Sequence, residues 1–179
     1  MIQSLQDIFQ LEQEEKFDNA FKAYKALYLK DKNDYEIWKH FYFFLWTAIE
    51  DAPSSFHDQI NLRHLLQIMF DEGKLAFSNN ADFNFIAGYT VSIFPYEYGD
   101  YEDLEKEGDQ MLFKATQLDP FNKIYKMAFL ASLETSNNKE YRQAEIEAAP
   151  DVLSTFNGQG LLNKYFRQVF YRLDKKAQP

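Results

Sequence analysis

The chain has 179 residues, 46% of them hydrophobic, which is enough for a domain-sized core and too apolar for intrinsic disorder. A formal net charge of -9 argues against nucleic acid and anionic membrane as ligands and suits a basic protein partner. The absence of cysteine removes disulfides, thiolate metal sites and Cys nucleophiles, and 6 Gly with 5 Pro are too few for the turns of an all-β chain.

In chain order, Ile2, Leu5, Ile8, Phe9 and Leu11 predict a first helix over about residues 2–13. This N-terminus has no basic segment, and Asp7 interrupts its apolar residues, so it does not read as a secretory signal. Phe17, Ala20, Phe21, Tyr24, Leu27 and Tyr28 carry the period into a second helix. Asp31-Lys32-Asn33-Asp34 then forms a turn, with Asp34 placed to cap a third helix that carries Trp38, Phe41, Tyr42, Leu45 and Ile49. Pro53-Ser54-Ser55 breaks that helix, and a long fourth is expected over about residues 56–78, weakened at Gly73. A fifth follows from Asp82 to Phe94, stopped by Pro95, and a loop from Tyr96 to Asp100 leads to a sixth from Tyr101 to Leu118. A seventh carries Ile124, Tyr125, Ala128, Phe129 and Leu133. Ser136-Asn137-Asn138 reads as a turn, residues 139–148 as a short helix stopped near Pro150, and Asn157 to Gly160 as a loop. A last helix is expected over 161–173. No stretch has linker composition, so residues 1–179 read as one all-α domain. The longest apolar run, Phe41 to Ile49, falls well short of the roughly 20 residues of a membrane span. With no Asn-x-Ser/Thr acceptor either, the chain reads as soluble and cytoplasmic, with no membrane partner.

Two blocks share a pattern. Phe17-x2-Ala20-x3-Tyr24-x2-Leu27 precedes Trp38-x2-Phe41, and Gly99-Asp100-Tyr101 precedes Gly108-x3-Leu112-x2-Ala115 and Leu118-Asp119-Pro120. The pattern resembles the tetratricopeptide repeat over about residues 15–48 and 81–133, with residues 50–80 and 134–179 unmatched. The resemblance implies stacked antiparallel helix pairs, about 8–10 helices, in which Ala20 and Gly88 allow close approach while Tyr24, Trp38 and Phe41 fill the space between layers. Lys32 replaces the family's closing Pro, Tyr42 replaces a small Gly, and the second block is about one helical turn too long. The alternative is a generic helical bundle in which the same residues merely pack.

The sequence names no reaction. His40, His57 and His64 do not pair at metal-ligand spacing, no nucleophile elbow is present, and abundant carboxylates are not by themselves a constellation. No cofactor, metal ligand or catalytic residue is therefore assigned. Gly158-Gln159-Gly160 lacks the third glycine of a dinucleotide loop, since Asn163 stands there, and reads as a helix-start turn; the helix after it offers free N–H groups to an anion only as every helix does.

Two features point to binding. The resemblance places Lys39, Phe43 and Trp46 of the first block, with Asp82, Phe85 and Tyr89 of the second, along a concave groove; the other reading buries these aromatics as core. Independently, Glu97, Asp100, Glu102, Asp103, Glu105, Glu107 and Asp109 stand against Lys106 alone, interleaved with Tyr96, Tyr98 and Tyr101. This strip reads either as a solvated helix face or as a docking site for a basic protein. Lys164, Arg167, Arg172, Lys175 and Lys176 give the C-terminus the opposite bias, which keeps it soluble. The function expected is that of a non-catalytic binding protein, in particular an immunity protein neutralising a basic toxin. The alternatives are a chaperone or adaptor holding an extended peptide, and an enzyme using an unrecognised carboxylate site.

Overall fold

The aromatic run Phe41 to Trp46 leaves a helix no polar face, so it must be surrounded. In the computed structural model, which describes residues 4–133 and 138–171 except the side chains of Tyr101 and Asn138, that helix is α3, Tyr35–Asp51. The described residues form ten α-helices and one 3₁₀ turn, with no strand among them. No helix among them is long and apolar enough to cross a membrane. The chain divides into two compact units: residues up to Phe77 together with Gln159–Leu162, and Ser78 to Gly158 together with the chain from Asn163 onward. The chain passes between them three times, at residues 77/78, 158/159 and 162/163, and although the second falls in the expected loop from Asn157 to Gly160, none has the composition of an interdomain linker.

In the first unit, α1 (Leu5–Gln13) starts in a capping box. The Asp7 N–H donates to Ser4 Oγ at 3.4 Å, and the Ser4 N–H donates to Asp7 Oδ2 at 3.2 Å. The helix ends with Glu15 in the left-handed region at φ 54°, while the Lys16 N–H reaches the Leu11 carbonyl at 2.9 Å. Helix α2 (Phe17–Lys30) packs against α1 and α3. Asp34 caps α3 as its position predicts, accepting the Ile37 N–H at 3.1 Å. Ala20, Tyr24, Trp38 and Phe41 are buried as the spacing predicts, with Tyr24 stacked on Phe41 at 5.4 Å. Tyr42 is fully buried and stacks on Trp38 at 4.6 Å, and the Trp38 indole N–H donates to the Met69 carbonyl at 2.9 Å.

The expected long fourth helix is two: α4 (Ser54–His57) and α5 (Leu62–Phe77), interrupted at residues 58–61. The break is chemical, because Asn61 Oδ1 accepts the His64 N–H at 3.1 Å and so satisfies an orphan donor at the start of α5.

In the second unit, Asn80 caps α6 (Ala81–Ile93), whose residues 83–91 are all buried. A 3₁₀ turn at Pro95–Glu97 occupies part of the expected loop and packs on α6 and α7 (Tyr101–Leu118). Helices α6 and α7 meet at two glycines. A Cβ on Gly88 would lie 3.0 Å from the Gly108 carbonyl, and one on Gly108 would lie 2.5 Å from Ser92 Oγ. The close approach expected at Gly88 is therefore present, with Gly108 as its counterpart.

Asn122 caps α8 (Lys123–Ser132), which packs against α7 and α9 (Asn138–Thr155). Pro150 does not stop α9, as the sequence reading expects; it lies inside the helix. The ring removes the bond to the Ile146 carbonyl on a side of the helix where Pro150 and Ile146 are both exposed, while Ala148, Ala149 and Val152 are buried and hold the helix in the core. Helix α10 (Leu161–Phe170) brings Phe166 within 5.2 Å of Phe85 and 4.9 Å of Phe156. The Arg167 guanidinium donates to the carbonyls of Phe156 and, at 2.8 Å, Gly158. The start of the first helix at residue 2, the turn at 136 and 137, and residues 172–179 with Arg172, Lys175 and Lys176 lie outside the described residues.

Candidate protein-interaction surface

The groove reading is corrected by burial. Phe43 and Phe85 are 0% exposed, Trp46 4% and Tyr89 8%. Residues 41–46 of α3 and 83–91 of α6 are buried without interruption, and such runs belong to a packed interior and present no groove wall. Phe43 and Trp46 rings lie 5.3 Å apart. Phe85 stacks on Tyr125 at 5.0 Å, and the Tyr89 and Tyr165 hydroxyls are hydrogen-bonded at 2.9 Å.

The polar members of that set are also engaged. Lys39 is half-buried, pairs with Glu36 at 2.8 Å and lies over the Tyr35 ring at 5.3 Å. Asp82 is half-buried and accepts the Tyr125 hydroxyl at 3.4 Å. Burial, reinforced by the Asp82 charge, holds the Tyr125 hydroxyl well above the usual tyrosine range.

The acidic strip divides. Glu97 is 2% exposed, because the 3₁₀ turn folds it inward, and it is corrected from a docking residue to an interior one. Tyr98 is buried too. Asp100 is exposed and caps α7, accepting the Glu102 N–H at 3.2 Å. Glu102 and Asp103 are exposed on the first turn of α7, where the helix dipole favours negative charge by about 0.3–1 kcal/mol each. Glu105, Glu107 and Asp109 are half-buried.

Two apolar residues adjoin these acids along the chain: Tyr96, which the sequence reading interleaves with them, and Ile93, which it does not single out. Ile93 is 44% exposed and Tyr96 53% exposed, with the Tyr96 ring 5.7 Å from that of Phe94. The available signal was Pro95: it ends α6 and takes residues 93–96 out of the regular helical burial pattern. The second unit thus presents Ile93 and Tyr96 with Asp100, Glu102 and Asp103 within eleven consecutive residues.

Elsewhere the geometry gives no reacting constellation among the described residues. His40 is buried against Phe9 at 4.7 Å, and burial, aided by Lys39, pushes it down to about 3, so its ring is neutral. His57 bonds the Ala52 carbonyl at 3.1 Å. No group of three or more His, Cys, Asp or Glu able to hold a metal occurs among the described residues. The Gly158–Gly160 loop leads into α10 as expected, and the anion facing its first N–H is internal: Leu161 N–H donates to Glu12 Oε2 at 2.9 Å.

Comparison with protein-family models, curated proteins and solved structures finds no match.

Proposed function

We propose that the protein is a non-catalytic binding module of tetratricopeptide-like stacked helix pairs, and that it acts as an immunity protein occluding a basic toxin. The observation that carries the reading is the exposure of Glu102 and Asp103 close in the chain to the exposed apolar residues Ile93 and Tyr96. Acids speed encounter with a basic surface, whereas a desolvated aromatic or aliphatic side chain slows departure. The repeat-like pairing is supported by the Gly88–Gly108 approach and by the Tyr24, Trp38 and Phe41 packing. The burial of Phe43, Trp46, Phe85 and Tyr89 favours this reading over a peptide-holding chaperone, whose groove would need those rings.

The test begins with affinity capture from the source cell and with the product of the neighbouring gene. The captured protein is expected to be basic and to bind one-to-one. Glu102→Lys with Asp103→Lys is expected to lower the association rate by roughly tenfold or more at low salt and to flatten its salt dependence. An acidic partner, or unchanged association by the double reversal, overturns the electrostatic part of the proposal.

A further inference from the structure

Glu12 is the carboxylate that the surface reading leaves unused, and its setting is unusual. It lies on the last turns of α1 and is 8% exposed. Its two oxygens are divided between two donors: the Tyr24 hydroxyl of α2 reaches Oε1 at 2.6 Å, and the Leu161 N–H reaches Oε2 at 2.9 Å. No cation pairs with it among the described residues. The segment 159–162, Gln-Gly-Leu-Leu, brings no charged side chain, and the Glu14–Lys16 pair at the end of α1 is solvent-exposed. From α3 the neighbouring titratable group is His40, which packs on Phe9 and is neutral.

The same side of α1 grips this segment at two further points. Gln6 Nε2 donates to Gln159 Oε1 at 2.7 Å. Gly160, at φ +93°, rests on the Phe9 ring so closely that a Cβ would fall 2.8 Å from Cδ1. Gln6, Phe9 and Glu12, three apart on α1, therefore meet Gln159, Gly160 and Leu161 in register.

We infer that this contact is a proton-operated latch: the neutral Glu12 carboxyl locks residues 159–161 onto α1, and its ionisation loosens them. The geometry serves both states. When neutral, Oε2 accepts the Leu161 N–H while the carboxyl O–H and the Tyr24 hydroxyl share the short contact. When ionised, both donors point at a charge that is desolvated and has no counter-ion, which is the costly condition. Burial pushes the Glu12 carboxyl up from 4.5 to about 7, against the two hydrogen bonds that oppose it. The folded state therefore holds a proton that the unfolded chain has lost. The latch is complete below pH 4.5 and is lost as pH rises through about 7.

Amide hydrogen exchange on the whole chain tests this, with rates corrected for the intrinsic pH dependence. Between about pH 5.5 and about pH 8, protection of the α1 amides and of Leu161 is expected to fall more than about tenfold. Glu12→Gln keeps a neutral acceptor for Leu161 and a donor for Tyr24, and is expected to hold that protection constant. Tyr24→Phe removes a donor to the ionised form and is expected to move the fall to higher pH. Equal loss in Glu12→Gln, or no loss in the native chain, overturns the latch. Should the variants not fold, the ¹³C titration of the Glu12 carboxyl in the native chain decides: a midpoint near 7 supports it and one near 4.5 overturns it.

Discussion

Trp38 shows how one side chain joins packing to polar satisfaction. Its ring is fully buried between Tyr42, at 4.6 Å, and Phe77, at 5.7 Å, and its N–H fills the Met69 carbonyl. Truncation both opens a cavity and removes the hydrogen bond to α5. Trp38→Ala is therefore expected to cost about 3–5 kcal/mol in denaturant unfolding, and Trp38→Phe less. A loss below about 0.5 kcal/mol would mark a surface residue. Glu15 predicts the opposite sign. It ends α1 in the left-handed region, where an L side chain costs roughly 1 kcal/mol and where glycine is the usual occupant. Glu15→Gly is expected to stabilise by about 0.5–1 kcal/mol, read as a melting temperature raised by a few degrees. A lower melting temperature would show that the Glu15 side chain contributes something its backbone conformation does not reveal. The burial of Trp38 was legible from its spacing to Ala20 and Tyr24. The conformation of Glu15 was not: the helix end near residue 13 could be read, but Glu carries no propensity for the left-handed region.

Among the elements, the α6–α7 contact was the most readable, since glycine in the middle of a helix needs a reason and close approach is the common one. The two glycines are not equivalent. An added Cβ at Gly88 meets backbone atoms of Gly108 and Leu112, both at 3.0 Å, which cannot move without moving α7. At Gly108 the nearest atom is the Ser92 hydroxyl at 2.5 Å, which can rotate away, with the Ser92 N–H behind it at 3.0 Å. Overpacking costs about 1–3 kcal/mol, against a gain of about 1 kcal/mol from replacing a mid-helix glycine by alanine. Gly88→Ala is thus expected to destabilise clearly, by about 1–2 kcal/mol, and Gly108→Ala by less, with Ser92→Ala relieving part of the second loss. Equal costs in chemical denaturation would mean that the helices separate as rigid bodies whichever glycine is filled. Two element boundaries were not legible. The α4–α5 break rests on Asn61 acting as a cap inside an otherwise helical period, and α9 runs through Pro150, which stands with Ile146 on an exposed side of the helix. Both outcomes depend on which side of the chain meets water, which local pattern does not specify.

At the scale of the molecule, the same limit separates what was readable of the proposed binding surface from what was not. Net charge and the run of acids at the start of α7 are properties of composition, and they pointed to Asp100, Glu102 and Asp103, which the structure leaves exposed. Which aromatics stay exposed is a property of packing. The richest apolar helices, α3 and α6, attracted attention as a groove and are buried for the same reason that they are rich. Among the exposed apolar residues, Ile93 and Tyr96 are those beside the acids, where Pro95 ends a helix. This division predicts two separable kinetic effects on a basic partner. The net charge of -9 makes attraction long-ranged, screened beyond about 8 Å at physiological ionic strength, so salt and the Glu102/Asp103 reversal should act mainly on association. Tyr96 gains its contribution only after water is expelled, so Tyr96→Ala should leave association within about threefold. It should speed dissociation by roughly tenfold or more, as for removal of an anchor contributing about 2 kcal/mol. Tyr96 is 53% exposed in the free protein, so its loss should leave the melting temperature nearly unchanged. Stopped-flow association and surface-bound dissociation measured on the two variants separate these effects. Slower association in Tyr96→Ala, with dissociation unaltered, would place the ring outside the bound interface and leave the acids alone as the recognition element.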